Sequence, residues 1–156
     1  MRIMHDLTGS GGPISAIDMY GGITTPADGA AHMIGVTYDG SSTAAGVKIY
    51  VDGVADTSTT IKIDNLNASI VTATTGPMLI GYQPSTFGEI VMSHFAFSSV
   101  VRSAGYMTAA NSYANRPAVD GSNTLYFDFT EGTGTTLVDK SSNGYNGTIT
   151  GSAAWY

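Results

Sequence analysis

The chain has 156 residues, a formal net charge of −6 and no cysteine. A single domain of this length buries roughly 70% of the surface its unfolded chain exposes, and the missing thiols exclude disulfide frameworks, cysteine zinc sites and thiol nucleophiles. Charged residues are only 12%, and the six cations, Arg2, Lys48, Lys62, Arg102, Arg116 and Lys140, stand singly, which argues against nucleic acid or an anionic membrane as partner. No run reaches the ~18 apolar residues of a membrane-spanning helix. No apolar stretch follows Arg2 as it would in a secretory signal.

Short runs of period two, broken by Gly, Asn, Asp and Pro, predict an all-β chain. Residues 14–19 form the first expected strand. Residues 32–38 form the next, closed by a turn at Asp39-Gly40. Residues 46–51 alternate, with Val47, Ile49 and Val51 on one face and Lys48 and Tyr50 on the other. Asp52-Gly53 predicts a two-residue hairpin with both central residues at positive φ, and residues 54–57 return from it. Further strands are expected at 60–63, 69–73, 78–82 and 89–97, the last apolar on both faces and so central. Ser103 is the expected N-cap of one helix over 104–114, stopped by Pro117, with Tyr106, Met107, Ala110 and Tyr113 in one stripe. Residues 124–130 are a strong β-run, and short strands and tight turns fill the remainder. The pattern is an antiparallel β-sandwich of jelly-roll type with one short helix.

Three stretches carry a resemblance. Ala27-Asp28-Gly29, residues 32–40 and Gly46-Val-Lys-Ile-Tyr-Val-Asp-Gly53 make a long hairpin motif. Residues 88–97 with Arg102-Ser103-Ala104 make a closing strand and helix. Residues 125–136, Val138-Asp139 and residues 141–148 make an opening segment. Together they resemble the laminin-G-like, concanavalin A-like jelly-roll family, with Ala31 in place of the family's aromatic before the His. The resemblance implies one sandwich domain over residues 1–156. It also implies an unusual order, because the segment that opens the family's domain comes last here. Either the chain is circularly permuted, with residues 117–123 as the bridge, or its sandwich is completed by strands of neighbouring chains.

The candidate sites are few. Asp139, Ser141 and Asn143, followed by Gly144, match the first half of a calcium loop, but Thr150 stands where the bidentate carboxylate belongs. The competing reading is an Asn-Gly turn capped by Asp139. His5, His32 and His94 lack metal-ligand spacing and read as structural. Glu89 and Glu131 do not form the alternating acidic strand of a jelly-roll glucanase, and there is no nucleophile elbow, so no enzyme activity is expected. Tyr82, Gln83, Tyr145, Asn146, Trp155 and Tyr156 could form an aromatic and amide platform for a glycan. Asn67-Ala-Ser69 and Asn146-Gly-Thr148 match the glycosylation pattern and read as turns.

Members of the family are usually extracellular adhesion or sugar-binding modules. A chain with low charge, no export signal and permuted strand order is expected to be a non-enzymatic virion surface component of a bacteriophage. It would be a capsid decoration or tail-associated protein, held to copies of itself or to other virion proteins by sheet edges and apolar contacts, and in reach of host glycans. The alternative expectation is a glycan-binding module of a larger secreted protein.

Overall fold

The computed structural model describes residues 2–5 (backbone), 15–23, 29–67, 78, 80, 91–109, 118–151 and 153–155. The described elements are β1 (Arg2–His5), β2 (Ser15–Tyr20), β3 (Ile34–Tyr38), a 3-10 turn (Ala44–Gly46), β4 (Val47–Val51), β5 (Val54–Ala55), β6 (Thr60–Asp64), β7 (Phe95–Ser98), α1 (Ala104–Ala109), β8 (Asn123–Phe127), β9 (Thr136–Leu137) and β10 (Gly147–Thr148). Among the described residues every strand pair is antiparallel and α1 is the one α-helix. Among the described residues the sheets are small, of two or three strands. The chain divides into two compact units, Met1–Thr74 with Val101–Pro117, and Thr75–Val100 with Ala118–Tyr156.

In the first unit β2 lies between β1 and β6, and β4 lies between β3 and β5. Ile17 and Met19 of β2 meet Val47 and Ile49 of β4 and Ala44 in one apolar cluster, against which Val36, Tyr38 and Leu66 pack. Each of the Ile, Met and Val side chains contributes roughly 1.5–3 kcal/mol when fully buried. β1 has no counterpart in the sequence-based strand pattern. The expected strands at 69–73 and 78–82 lie outside the described residues, apart from Met78 and Ile80.

The predicted hairpin forms at its predicted place. Asp52 has φ 50 and Gly53 φ 79, the two positive values that a primed turn requires. β5 ends at Ala55, short of the expected residue 57. The Asp56 N–H still adds one rung in the same register, donating to the Ile49 carbonyl at 2.8 Å. The Asp56 carboxylate accepts the N–H of Gly22 at 2.6 Å and of Ile23 at 3.0 Å, and both Ser58 donors at 2.9 Å. β3 starts two residues late because the Met33 N–H goes to the Asp52 carboxylate at 2.9 Å rather than to a strand.

Tyr50 shares the face of Lys48, as the alternation predicts, and it is buried there. Its register partner is Gly35, and α1 covers that row. A Cβ on Gly35 would lie 2.8 Å from the Met107 sulfur, and one on Gly53 2.6 Å from the Thr108 Cα. The two glycines therefore let the helix approach the hairpin closely. Ser103 is the N-cap, its Oγ accepting the Tyr106 N–H at 3.1 Å. The described helix ends at Ala109, and Ala110 and Tyr113 lie outside the described residues.

In the second unit β7 pairs with β8 in the register Phe95↔Phe127, Ala96↔Tyr126, Phe97↔Leu125 and Ser98↔Asn123, with an irregularity between Phe97 and Ser98. The expected strand over 89–97 thus shortens to Phe95–Ser98. Residues 91–94 are irregular, and Glu89 and Ile90 lie outside the described residues. Among the described residues β7 has one strand partner rather than the two expected of a central strand. β8 stops at Phe127, short of residue 130, because Asp128 bends the chain. Its Oδ1 accepts the Thr130 hydroxyl at 2.9 Å, and Phe129 takes φ 49. Before β8, Asp120–Asn123 close a turn in which the Asn123 N–H donates to the Asp120 carbonyl at 3.0 Å and the Ser122 N–H to Asp120 Oδ1 at 2.9 Å.

Candidate functional site

The hairpin of β9 and β10 carries the loop that holds most of the described candidates. Strand register fixes its ends, with Leu137 opposite Gly147 and Thr136 opposite Thr148. Asp139 organises what lies between. It is buried, and both of its oxygens accept two hydrogen bonds. Oδ1 takes the N–H of Tyr126 and of Ser141, each at 2.9 Å. Oδ2 takes the Ser141 hydroxyl at 2.7 Å and the Tyr145 N–H at 2.9 Å. Burial pushes this carboxyl upward, but the Ser141 hydroxyl and the Tyr126, Ser141 and Tyr145 N–H groups together outweigh it and hold it below the usual aspartate range.

The neighbours complete the loop. Lys140 N–H donates to the Tyr126 carbonyl at 2.8 Å, so residues 139–140 hydrogen-bond to both backbone groups of Tyr126. The Asn143 side-chain amide donates to the carbonyls of Thr124 at 3.0 Å and Asn123 at 3.3 Å. Asn146 Oδ1 accepts the Asp139 N–H at 3.0 Å. The three calcium candidates are therefore brought together, but as a hydrogen-bonded turn fastened to β8. The carboxylate faces four N–H and O–H donors, and Asn143 turns an N–H group to the backbone. As folded, this donor set does not fit a hard cation, which needs six to eight oxygens directed at one point. Among the described residues no group of three His, Asp or Glu is arranged to hold a metal ion.

The glycan candidates are dispersed in role. Tyr145, two residues before β10, is 62% exposed, while Asn146 is occupied in bracing Asp139. Trp155 is partly buried, and its indole N–H donates to the Gly134 carbonyl at 2.8 Å. Tyr82, Gln83 and Tyr156 lie outside the described residues. Glu131 Oε1 accepts the Val138 N–H at 3.0 Å, and Lys140 Nζ stands 3.9 Å from both Glu131 and Asp128.

Comparison with family models, with curated proteins and with solved structures finds no match. The functional reading therefore rests on this chain's own geometry.

Two clusters in the first unit were not anticipated. His32 Nδ1 lies 2.8 Å from Asp52 Oδ2, on the carboxylate whose other oxygen holds Met33. The sequence marks Asp52 only as a turn residue. Asp56 is the second case. Hydrogen bonds from Ile23, Ser58 and Gly22 hold its carboxyl low against the opposing effect of desolvation. Its signal in the sequence was an aspartate inside an apparent strand, where a carboxylate is depleted. His94 has its ring nitrogen 3.3 Å from Ser93 Oγ.

Proposed function

We propose that this chain is a non-enzymatic assembly module, a bacteriophage virion surface component of laminin-G-like sandwich type. In this reading it locks to copies of itself or to other virion proteins through sheet edges and apolar contacts. One observation carries the reading. Ile34, Val51 and Val54 lie in one row across β3, β4 and β5. Val51 is buried, whereas Ile34 and Val54 are 56% and 62% exposed. β3 and β5 are also the outer strands of their sheet among the described residues. Phe97 of the second unit repeats the feature, being 54% exposed on β7. Solvent-facing sheet edges are ordinarily guarded by charge, proline or bulges, and β5, with two exposed apolar residues, carries none of these.

The permuted-order reading has its own support. Relatives in this family close with the motif found here in β7 and open with the one found in β8, and these two strands are hydrogen-bonded neighbours in this chain.

The test has two arms. Sedimentation of the purified chain at micromolar concentration is expected to give a discrete assembly, and Ile34→Lys with Val54→Lys is expected to return monomer without lowering the melting temperature. The chain is also expected to remain with purified virus particles through a density gradient. A monomer at all concentrations that leaves the particles would overturn the reading. The exposed ring of Tyr145 favours the second reading, a glycan-binding module, and Tyr145→Ala on a glycan array tests it.

A further inference from the structure

We propose that Asn143-Gly144 is a self-modification site, at which the folded chain converts an amide to a carboxylate and loosens its own loop from β8. The step is a ring closure. The Gly144 backbone nitrogen gives its proton to solvent base and attacks the side-chain carbonyl carbon of Asn143. A C–N bond forms, the bond to Nδ2 breaks, and Nδ2 takes up a proton from water and leaves as ammonia. Water then opens the succinimide to aspartate or isoaspartate, so water is the only co-reactant. The inference does not rest on the assembly reading.

The loop holds two Asn-Gly pairs, Asn143-Gly144 and Asn146-Gly147. In both, the glycine leaves the attacking nitrogen unshielded by a Cβ. The fold separates them. The Asn143 N–H donates to Ser141 Oγ at 3.3 Å, the Tyr145 N–H to Asp139 Oδ2 at 2.9 Å and the Asn146 N–H to the Gly144 carbonyl at 3.0 Å. The Ile149 N–H donates to the Thr135 carbonyl at 2.8 Å, so the alternation of antiparallel pairs makes Gly147–Leu137 a hydrogen-bonded pair. Of the backbone N–H groups over 143–147, that of Gly144 alone has no acceptor among the described residues. Gly144 is exposed, and a Cβ built on it would meet nothing within 4 Å. The Gly147 nitrogen is committed to the ladder, and Asn146 Oδ1 is held by the Asp139 N–H at 3.0 Å.

The same amide gives the reaction a structural consequence. Asn143 Nδ2 donates to the Thr124 carbonyl at 3.0 Å and to the Asn123 carbonyl at 3.3 Å. These bonds open before the ring closes, and the shorter one is exposed, so water replaces it at small net cost. A carboxylate accepts hydrogen bonds and donates none. The product therefore turns a negative charge toward two carbonyl oxygens that it cannot bond. The Asn143 anchor to β8 is lost, while the Asp139 bond to Tyr126 remains.

Timed incubation of the full chain in mildly alkaline buffer, followed by chymotryptic digestion and mass spectrometry, tests this. Cleavage after Tyr145 places the two asparagines on different peptides. The folded chain is expected to accumulate aspartate and isoaspartate at Asn143 at least about tenfold faster than at Asn146. Tenfold corresponds to only about 1.4 kcal/mol of barrier, and the Asn146 route must first break a ladder bond. In concentrated urea the two sites should react at equal rates, which assigns the difference to the fold. Asn143→Gln, whose ring closure is far slower, should remove the fast reaction and leave the Asn146 rate unchanged. In the modified chain the carbonyl carbon signals of Asn123 and Thr124 should shift, and those of Tyr126 should stay. Equal rates in the folded chain, a faster Asn146, or an intact Asn143 after the urea sample has reacted fully would each overturn the proposal.

Discussion

Asp139 and Tyr126, thirteen residues apart, are joined by a buried hydrogen bond of 2.9 Å from the Tyr126 N–H to the Asp139 carboxylate. The next residue after Asp139 returns a bond to the Tyr126 carbonyl. A side-chain oxygen thus stands in for one carbonyl of a neighbouring strand. This lets the loop between β9 and β10 lie alongside β8 where no regular strand continues. Replacing Asp139 by Ala leaves the Tyr126 and Ser141 N–H groups without their acceptor. Each such buried donor costs about 1–3 kcal/mol. Urea denaturation of Asp139→Ala should show a loss of that size at least, with Asp139→Asn in between.

Acid should unfold the protein progressively. Asp39, Asp56 and Asp139 all have carboxyl groups held below their ordinary range in the folded state. Groups of this kind contribute stability above the unfolded value of about 3.9 and lose it as pH falls through their lower folded values. Melting temperature should therefore be flat above about pH 5 and drop below about pH 4. Asp56→Asn and Asp139→Asn should make that drop shallower, even though they lower stability at neutral pH.

Two glycines of the same backbone class should respond differently to alanine. Gly40 and Gly53 have φ 81 and 79. A Cβ on Gly40 meets nothing within 4 Å, whereas one on Gly53 would lie 2.6 Å from the Thr108 Cα. Gly40→Ala should cost about 1–2 kcal/mol, the left-handed penalty alone. Gly53→Ala should cost clearly more, because α1 must move off the hairpin. Thermal unfolding of the two variants side by side measures the difference.

Calcium should leave stability unchanged. A cation bound at one hundred times its dissociation constant would add about 2.7 kcal/mol. The saturated hydrogen bonds of Asp139 predict no such gain. Thermal scans in millimolar calcium and in chelator should superimpose, and a rise with calcium would show that the loop rearranges to bind it.

Local rules made much of this fold legible. Asp52-Gly53 specified its turn because only a few residue types tolerate positive φ. Ser103 specified the helix start because its Oγ can reach an N–H of the first turn. Tertiary contact decided the rest. The alternation within β4 assigns the face of Tyr50, but its burial depends on α1, which lies far away in sequence. Asp56 and Asp139 looked like turn or strand residues because a buried carboxylate is defined by its donors, here Gly22 and Ile23 for one and Tyr126 for the other. β7 and β8 were each visible as apolar runs. Their length was not, because Asp128 and the irregular residues 91–94 cut both short.

The neighbouring positions of β7 and β8 are the most direct measure of the account, since they join the middle of the chain to its last third. Nuclear Overhauser contacts in a dilute mixture of isotope-labelled and unlabelled chains would separate pairing within one polypeptide from pairing between two. The account predicts contacts between Phe95–Ser98 and Asn123–Phe127 inside the labelled chain, in the register that sets Ala96 against Tyr126. Contacts only between labelled and unlabelled chains, or none between these segments, would contradict it.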